Sequence, residues 1–265
     1  MPDISFIFAK THIWMGNPSL TYDNQAISVD CTVFGFDGEA LRVLLIRRRH
    51  TLPSGTETAD LKLPGSLISD AEDLPSAANR VTRELVGSRT IYLKQMEVFS
   101  NPQRVQGQEL MWINTYYGVS LSRVLTVAFF AMVKLDEKLI SYTRRKGGRW
   151  VELGEVRQLA LDHNKILVTA MDYLMHLFQQ EPVAFEFLPR KFTIKQLQRL
   201  YEIVFDVEID NRNFRKKILS LKYILPAGEC EERVAHKPAQ YYVFDRKIYK
   251  RQNKKIFRLN FVGGK

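Results

Sequence analysis

The chain has 265 residues, 45% hydrophobic and 26% charged, a make-up that suits a soluble globular protein with room for two compact domains or one large one. Its net charge of +10 is unevenly placed: residues 1–185 carry 20 Lys and Arg against 20 Asp and Glu, whereas residues 186–265 carry 19 against 9. Such asymmetry points to an acidic polymer as the partner of the second part. The two cysteines, Cys31 and Cys230, lie far apart with no CxxC spacing, which argues against a disulfide framework or a zinc site and for a reducing compartment. The histidines at 12, 50, 163, 176 and 236 do not cluster, so a histidine metal triad is not expected. The apolar run Ile4–Ala9 is short and has no basic region before it, unlike a secretory signal. The longest apolar run, Val124–Val133, has ten residues against the about 20 of a membrane helix. It reads as a buried strand, and the expected location is the cytoplasm.

Residues 1–25 show no strong period and read as an N-terminal arm. From Ile27 to Phe36 apolar residues alternate with small or polar ones; Asp37-Gly38 then signals a tight turn before Leu41–Ile46, which makes a hairpin. Arg47-Arg48-Arg49 ends the second strand, and alternation lets only one or two of the three point inward. Residues 51–60 are polar and loop-like. The segment 64–87 follows, with Pro64-Gly65-Ser66, Glu72, Pro75, Arg80, Glu84 and Gly87. Pro75 is tolerated in a first helical turn, so a helix is expected from about Ser76 to Val86, with Gly87 ending it in a left-handed conformation. Val98-Phe99, Val124–Val133 and Trp150-Val151 read as further strands, interrupted by a polar and aromatic stretch over about 101–122. Asp162–Phe178 has helical spacing, with Ile166, Ala170, Tyr173, Leu174 and Leu177 on one face. This mixture fits an α/β/α sandwich.

A Pro-containing stretch, Glu181–Lys191, joins the two charge regimes and marks the expected domain boundary. Thr193 is a natural N-cap for a helix through about Val204, with Leu197, Leu200, Tyr201 and Val204 facing inward. Asp210 can cap a second helix from Asn211 to about Leu221. Phe214, Ile218 and Leu221 would pack inward, while Arg212, Arg215 and Lys216 would face out. That order is a helix-turn-helix with a basic outer stripe able to reach phosphates and guanine edges in a major groove. Tyr241–Phe244, Asp245-Arg246 and Lys247–Tyr249 read as a hairpin, which would be the wing, and the tail adds Arg251, Lys254, Lys255 and Arg258.

The segment 64–87 resembles a Nudix box. With Glu72 as its first glutamate, Arg80, Glu84 and Gly87 fall into register. Ser66 stands where the box glycine belongs, and Val81 and Leu85 stand where two of three metal-binding glutamates belong. The chain as a whole, over roughly residues 17–250, resembles the Nudix-related transcriptional regulators of the NrtR/AraR type, most closely the arabinose-responsive regulators of Bacteroidetes. The resemblance is carried by Asn17-Pro18, Asp30–Phe36, Leu44–Arg48, the degenerate box, Arg123-Val124 leading into Ala128–Ala131, Phe187–Thr193, Gln196–Glu202 and Arg212–Lys217. It implies a Nudix-like effector domain, a winged-helix domain, dimerisation on palindromic operators and modulation by a sugar or an ADP-ribose-like ligand. The chain departs from that pattern at Ser66 and at residues 105–117, which look like an insertion bringing Trp112, Tyr116 and Tyr117 close to the expected pocket.

The expected fold is therefore α+β: an arm (1–25), a Nudix-like α/β/α sandwich (26–181) and a C-terminal winged helix-turn-helix domain (182–265). The expected function is a DNA-binding transcriptional regulator, acting as a homodimer on a palindromic double-stranded operator and sensing a sugar or sugar derivative. One carboxylate between two apolar residues makes a poor magnesium site, so neither catalysis nor a metal or cofactor is expected. The rival is a Nudix hydrolase of nucleoside diphosphate derivatives such as ADP-ribose, kept alive by Glu72 and Glu84; an RNA-binding adaptor is disfavoured, because helices read A-form RNA poorly. Candidate DNA contacts are Asn211, Arg212, Asn213, Arg215, Lys216, Lys217, Lys222, Arg246 and Lys247. Candidate effector contacts are Arg47, Arg48, Glu84, Arg104 and Arg123.

Overall fold

The computed structural model describes residues 24–51, 54–89, 91–232 and 238–252. The N-terminal arm up to residue 23 and the tail cations Lys254, Lys255 and Arg258 lie outside that set. The apolar-rich alternation of the first hairpin becomes β1 (Gln25–Phe36) and β2 (Leu41–Thr51), paired antiparallel with Phe36 opposite Leu41. Asp37 closes the turn by accepting the backbone N–H groups of Glu39 and Ala40 and holding Arg42. The polar stretch expected to be a loop instead yields β3 (Glu57–Lys62), an edge strand whose exposed side needs no apolar residues. After it come β4 (Gly65–Leu67), α1 (Leu74–Val86), β5 (Tyr92–Phe99), α2 (Gln108–Tyr117), β6 (Arg123–Lys134), α3 (Glu137–Arg145), β7 (Gly148–Glu152) and α4 (His163–Gln180).

These strands form one seven-stranded mixed sheet, in which β1 runs parallel to β6 at the centre. Both strands are apolar on both faces because helices cover both: α1 and α3 pack on one side with Val29, Cys31 and Val33, and α4 packs on the other with Phe34, Phe130 and Met132. Each fully buried aromatic or large aliphatic side chain contributes roughly 1.5–3 kcal/mol. α1 starts at the N-cap Asp73, whose carboxylate accepts the Ser76 N–H, with Pro75 in the first turn. It ends at Gly87, where φ is +73° but ψ is −157°; this is not the expected left-handed helical geometry, although its positive φ equally favours glycine. At that end Thr143 of α3 donates to the Leu85 carbonyl and receives the Trp150 indole N–H, so α1, α3 and β7 are tied together in the core.

α4 ends at Gln180, and a short helix α5 (Ala184–Phe187) leads to β8 (Phe192–Thr193), α6 (Ile194–Phe205), α7 (Asn211–Leu219), β9 (Ile224–Cys230), β10 (Gln240–Phe244) and α8 (Arg246–Gln252). Strands β8, β10 and β9 make a small antiparallel sheet in that order. The wing is thus β9–β10. The expectation that Arg246 and Lys247 sit in a wing hairpin is corrected: Asp245 accepts the N–H groups of Lys247 and Ile248 and starts α8 instead of a turn. The two domains do not have separate cores. Phe34 and Phe130 of the sheet belong to the same apolar cluster as Phe178 of α4 and Tyr201 and Phe214 of the C-terminal domain. Among the described residues no helix is long and apolar enough to cross a membrane.

The α6 N-terminus carries a full capping box, in which Thr193 accepts the Gln196 N–H and Gln196 accepts the Thr193 N–H. Thr193→Ala is expected to cost about 1 kcal/mol, read as a lower urea midpoint at unchanged slope.

Candidate functional site

Two surfaces stand out. The first is a cavity at the end of the sheet where β1 meets β4 and β6. It is lined by Ser28, Asp30 and Thr126 on the strands, Lys62, Gly65 and Ser66 beside them, Arg104, and Trp112, Ile113 and Tyr117 of α2. The space it offers a water-sized sphere is about 30 Å³.

Its floor is a buried polar cluster. Thr126 Oγ1 donates to Asp30 Oδ2 (2.7 Å), and Ser28 hydrogen-bonds Thr126. Lys62 Nζ donates to the carbonyls of Leu63 (3.0 Å) and Gly65 (3.4 Å), and its charge faces Asp30. Burial pulls the Lys62 pKa down, with Asp30 opposing. His163 is wholly buried; its Nδ1 accepts the Leu63 N–H (2.9 Å), so the neutral ring carries its proton on Nε2, 3.5 Å from Asp30 Oδ1. Gly65 is required here by close approach: a Cβ would stand 1.8 Å from Asp30 Oδ1 and 2.8 Å from the Val29 carbonyl. Asp30, Lys62 and Thr126 were not among the candidate site residues. The available signal was a lone acid opening a buried apolar strand and a threonine interrupting the run 124–133.

The cations around the cavity are committed. Arg104 lies on its wall, bound through two parallel bonds (2.9 and 2.7 Å) to the equally buried Asp162. Arg48 is buried behind Trp112, bonded to Asp60 (2.9 Å) and Glu109, with its guanidinium 5.0 Å from the Trp112 ring centre. Arg47 is exposed on the opposite side of the strand, as alternation requires, and does not reach the cavity. Arg123 is half-buried and donates to the Ser100 carbonyl (2.6 Å), outside the lining. Glu84 is 66% exposed and stands 4.0 Å from Arg80. Of the candidate effector contacts the structure therefore brings Arg104 to the cavity wall and Arg48 behind the lining residue Trp112, but not Arg47, Glu84 or Arg123.

On α1, Val81 and Leu85 are buried against Ala77, Ala78 and Val29 of the core. They turn toward the sheet while Glu84 stays in solvent, so the three positions do not form one ligand-bearing face. Glu72 receives Arg80 Nε (3.0 Å) and the Ser69 N–H, which hold its carboxyl down to about 2.

The second surface is α7. Phe214 and Ile218 are fully buried, and Leu221 is half-buried. Arg212, Arg215 and Lys216 are exposed, as are Asn211, Asn213 and Lys222 nearby, while Lys217 is half-buried. Asp210 caps the helix through the Asn213 N–H (2.8 Å). Arg215 donates to the Tyr242 hydroxyl of β10 (3.3 Å), which donates in turn to Gln240 (3.0 Å), so the wing braces the basic stripe. Arg246 instead pairs with Glu186, and Lys247 is exposed on α8.

Comparison with known proteins agrees with this geometry. Residues 184–244 match the family described as the NrtR DNA-binding winged helix domain. The architecture is a Nudix-like domain followed by an NrtR-type winged helix. Across 227 residues the chain is 25% identical to the ADPR responsive transcriptional repressor NtrR of Acinetobacter baylyi, covering 84% of this chain and 83% of that protein. Its fold is similar to that of Shewanella oneidensis NrtR complexed with a 27mer DNA (TM-score 0.63, 21% identity, 83% of this chain and 93% of that one). A MutT/nudix family protein from Enterococcus faecalis shares the fold too (TM-score 0.56, 20% identity, 86% and 90% covered). The NrtR-type fold thus places the cavity in the Nudix-like domain and the basic stripe on the second helix of the helix-turn-helix.

Two outcomes are expected. Gly65→Ala should destabilise the chain by about 2–3 kcal/mol, because Asp30 is held by Thr126 and the Val29 carbonyl is backbone; an unchanged denaturation midpoint would mean that Asp30 swings aside freely. Burial lowers the His163 pKa to about 4. Between the unfolded value near 6.5 and 4, the unfolded chain binds a proton that the folded chain refuses, so stability is lost as pH falls through that window, by about 3 kcal/mol at its lower end. The slope of unfolding free energy against pH should flatten there in His163→Gln.

Proposed function

We propose that this chain is a DNA-binding transcriptional regulator of the NrtR type whose Nudix-like domain senses a small molecule. The observation that carries the reading is α7: a basic stripe exposed over a buried apolar face, capped at its start and braced by the wing. The Arg212 and Lys216 side chains have no hydrogen-bond or ion-pair partner among the described residues, which leaves them available to phosphates or guanine edges. Asn211, Asn213, Lys217 and Lys222 flank the stripe. Lys247 on α8 and Arg246, once released from Glu186, are contacts at its margin. Arrangement as a homodimer on a palindromic operator, in the cytoplasm, completes the reading.

The effector we propose is a sugar or sugar derivative, bound in the cavity over Asp30. Charge supports an uncharged polyhydroxyl ligand: Arg48 and Arg104 already hold carboxylates, and Lys62 is bonded to backbone carbonyls, so a diphosphate finds no uncommitted cation in the lining. Asp30, Ser28 and Thr126 supply acceptors and hydroxyls. The Acinetobacter relative is named for its response to ADPR, which makes ADP-ribose the ligand to set against sugars. A non-enzymatic role is supported by the apolar, buried Val81 and Leu85 and by the engagement of Glu72 with Arg80.

The test is fluorescence anisotropy on DNA from upstream of the protein's own gene and its neighbours, with L-arabinose, other pentoses, hexoses and ADP-ribose added in turn. Sequence-preferring, salt-dependent binding that one ligand shifts is expected. Weak binding that is equal on all DNA and blind to every ligand would sink the reading. Arg215→Ala should weaken operator binding by about 1–3 kcal/mol where it reads a base; unchanged affinity would move the readout to Arg212 and Lys216.

A further inference from the structure

Helix α2 is attached to the molecule by a small set of contacts. Its one buried residue, Ile113, belongs to a cluster with Val105, Leu121 and Val124 that is separate from both main cores. Its outer face shows Met111 and Tyr116, each about two-thirds exposed. It is bounded by Gly107 (φ +56°) and Gly118 (φ +66°), whose positive φ favours glycine and whose missing side chains would face open space. Its ties to the sheet are the Glu109–Arg48 ion pair, the Trp112 indole N–H to the Arg49 carbonyl (2.9 Å), the Arg48 guanidinium over the Trp112 ring, the Tyr117 hydroxyl on Ser66 and the Leu67 backbone of β4, and apolar packing on Ala26, Leu67 and Val124. Its inner face presents Trp112, Ile113 and Tyr117 to the cavity.

The cavity's space of about 30 Å³ holds roughly one water molecule. Ligand pockets run from about 300 Å³ upward, so no monosaccharide enters while α2 sits where it does. The opposite wall cannot yield, since β1 and β6 are locked in the sheet core. Arg48 makes movement of α2 feasible. It bonds two carboxylates on different elements, Asp60 on β3 and Glu109 on α2. Losing Glu109 to solvent leaves Arg48 paired with Asp60, so no lone charge is stranded in the interior.

We infer that α2 is a hinged roof, pivoting at Gly107 and Gly118 and latched by Glu109 to Arg48, that must open for ligand entry and then closes Trp112 and Tyr117 onto the ligand as determinants of specificity. This rests on the cavity being the effector site. The Trp112 and Tyr117 side chains, which line the cavity, would exclude water from one side of the ligand while Asp30 and Ser28 hold its hydroxyls from the other.

Amide hydrogen exchange on the full chain, wild type and Glu109→Gln, tests the roof. Without ligand, amides of residues 107–118 should exchange faster than those of β1 and β6, and Glu109→Gln should speed them about threefold to tenfold while leaving the strands unchanged. Addition of L-arabinose or ADP-ribose, whichever shifts anisotropy, should slow exchange across the same helix. Exchange of 107–118 that ignores Glu109→Gln, or ligand protection confined to the strands, would overturn the roof. Faster helix exchange in the variant, combined with no response to any ligand in exchange or anisotropy, would keep the hinge but remove the effector-site reading on which its purpose depends.

Discussion

A continuous apolar seam holds the two domains in one body. Phe178, near the end of α4, stands 5.2 Å from Tyr201 of α6 and 6.0 Å from Phe187 of α5, ring centre to ring centre. From there the cluster runs inward to Phe34 and Phe130 of the sheet and outward to Phe214 and Ile218 under the basic stripe. Turning the winged helix against the sheet would expose these rings, so the C-terminal domain responds to the sheet as a packed neighbour rather than as a tethered bead. A polar contact lies beside the seam: Arg199 of α6 donates to the Glu39 carbonyl (3.2 Å) at the β1–β2 turn. The hairpin strand that carries Ser28 and Asp30 therefore leads, through its turn, to a contact with the winged-helix domain. A ligand that shifts β1 has a physical route to α6, provided it binds two arrangements of the seam with different affinity.

The cavity's chemistry follows from pairing more than from composition. Several cations lie in or near it, and a count of arginines alone would suggest an anion site. Yet Arg104 is neutralised by Asp162, a pair buried enough that removing one member would leave an uncompensated charge, and Arg48 nearby is held by two carboxylates, Asp60 and Glu109. What is left facing the space is a carboxylate, hydroxyls, aromatic rings and the Lys62 ammonium, which is bonded to the Leu63 and Gly65 carbonyls. The same inward pull operates on the box helix. Val81 and Leu85 gain more from the sheet core than from the rim of the cavity, and Glu84 is left in solvent beside Arg80.

Elements with a strong periodic or capping signal were legible in the chain. The hairpin β1–β2, the strand β6 and the helices α1, α4, α6 and α7 each combine an apolar period with a turn or cap residue, and Thr193 and Asp210 cap as their residue types suggest. The unread elements lacked one of those signals. β3 is polar because it lies at an edge, and α3 is short and largely polar, with Leu139 and Thr143 as its buried residues. β9 contains Pro226 and Gly228, both depleted from strand interiors, so the wing was sought one strand too late. Asp245 looked like a turn residue and acts as a helix start, since one carboxylate serves both conformations with the same hydrogen bonds.

By itself the sequence determined the two-part plan, the charge asymmetry and the face of α7 that points outward, because period, caps and charge are local properties of a chain. Only the tertiary structure decided which arginines face the cavity, that Asp30, Lys62 and His163 share a buried cluster, and that α2 roofs it. Asp30 meets His163 across 133 positions of sequence and Arg48 meets Glu109 across 61. No local pattern encodes such pairings, which arise when the sheet closes and each buried charge must find a partner.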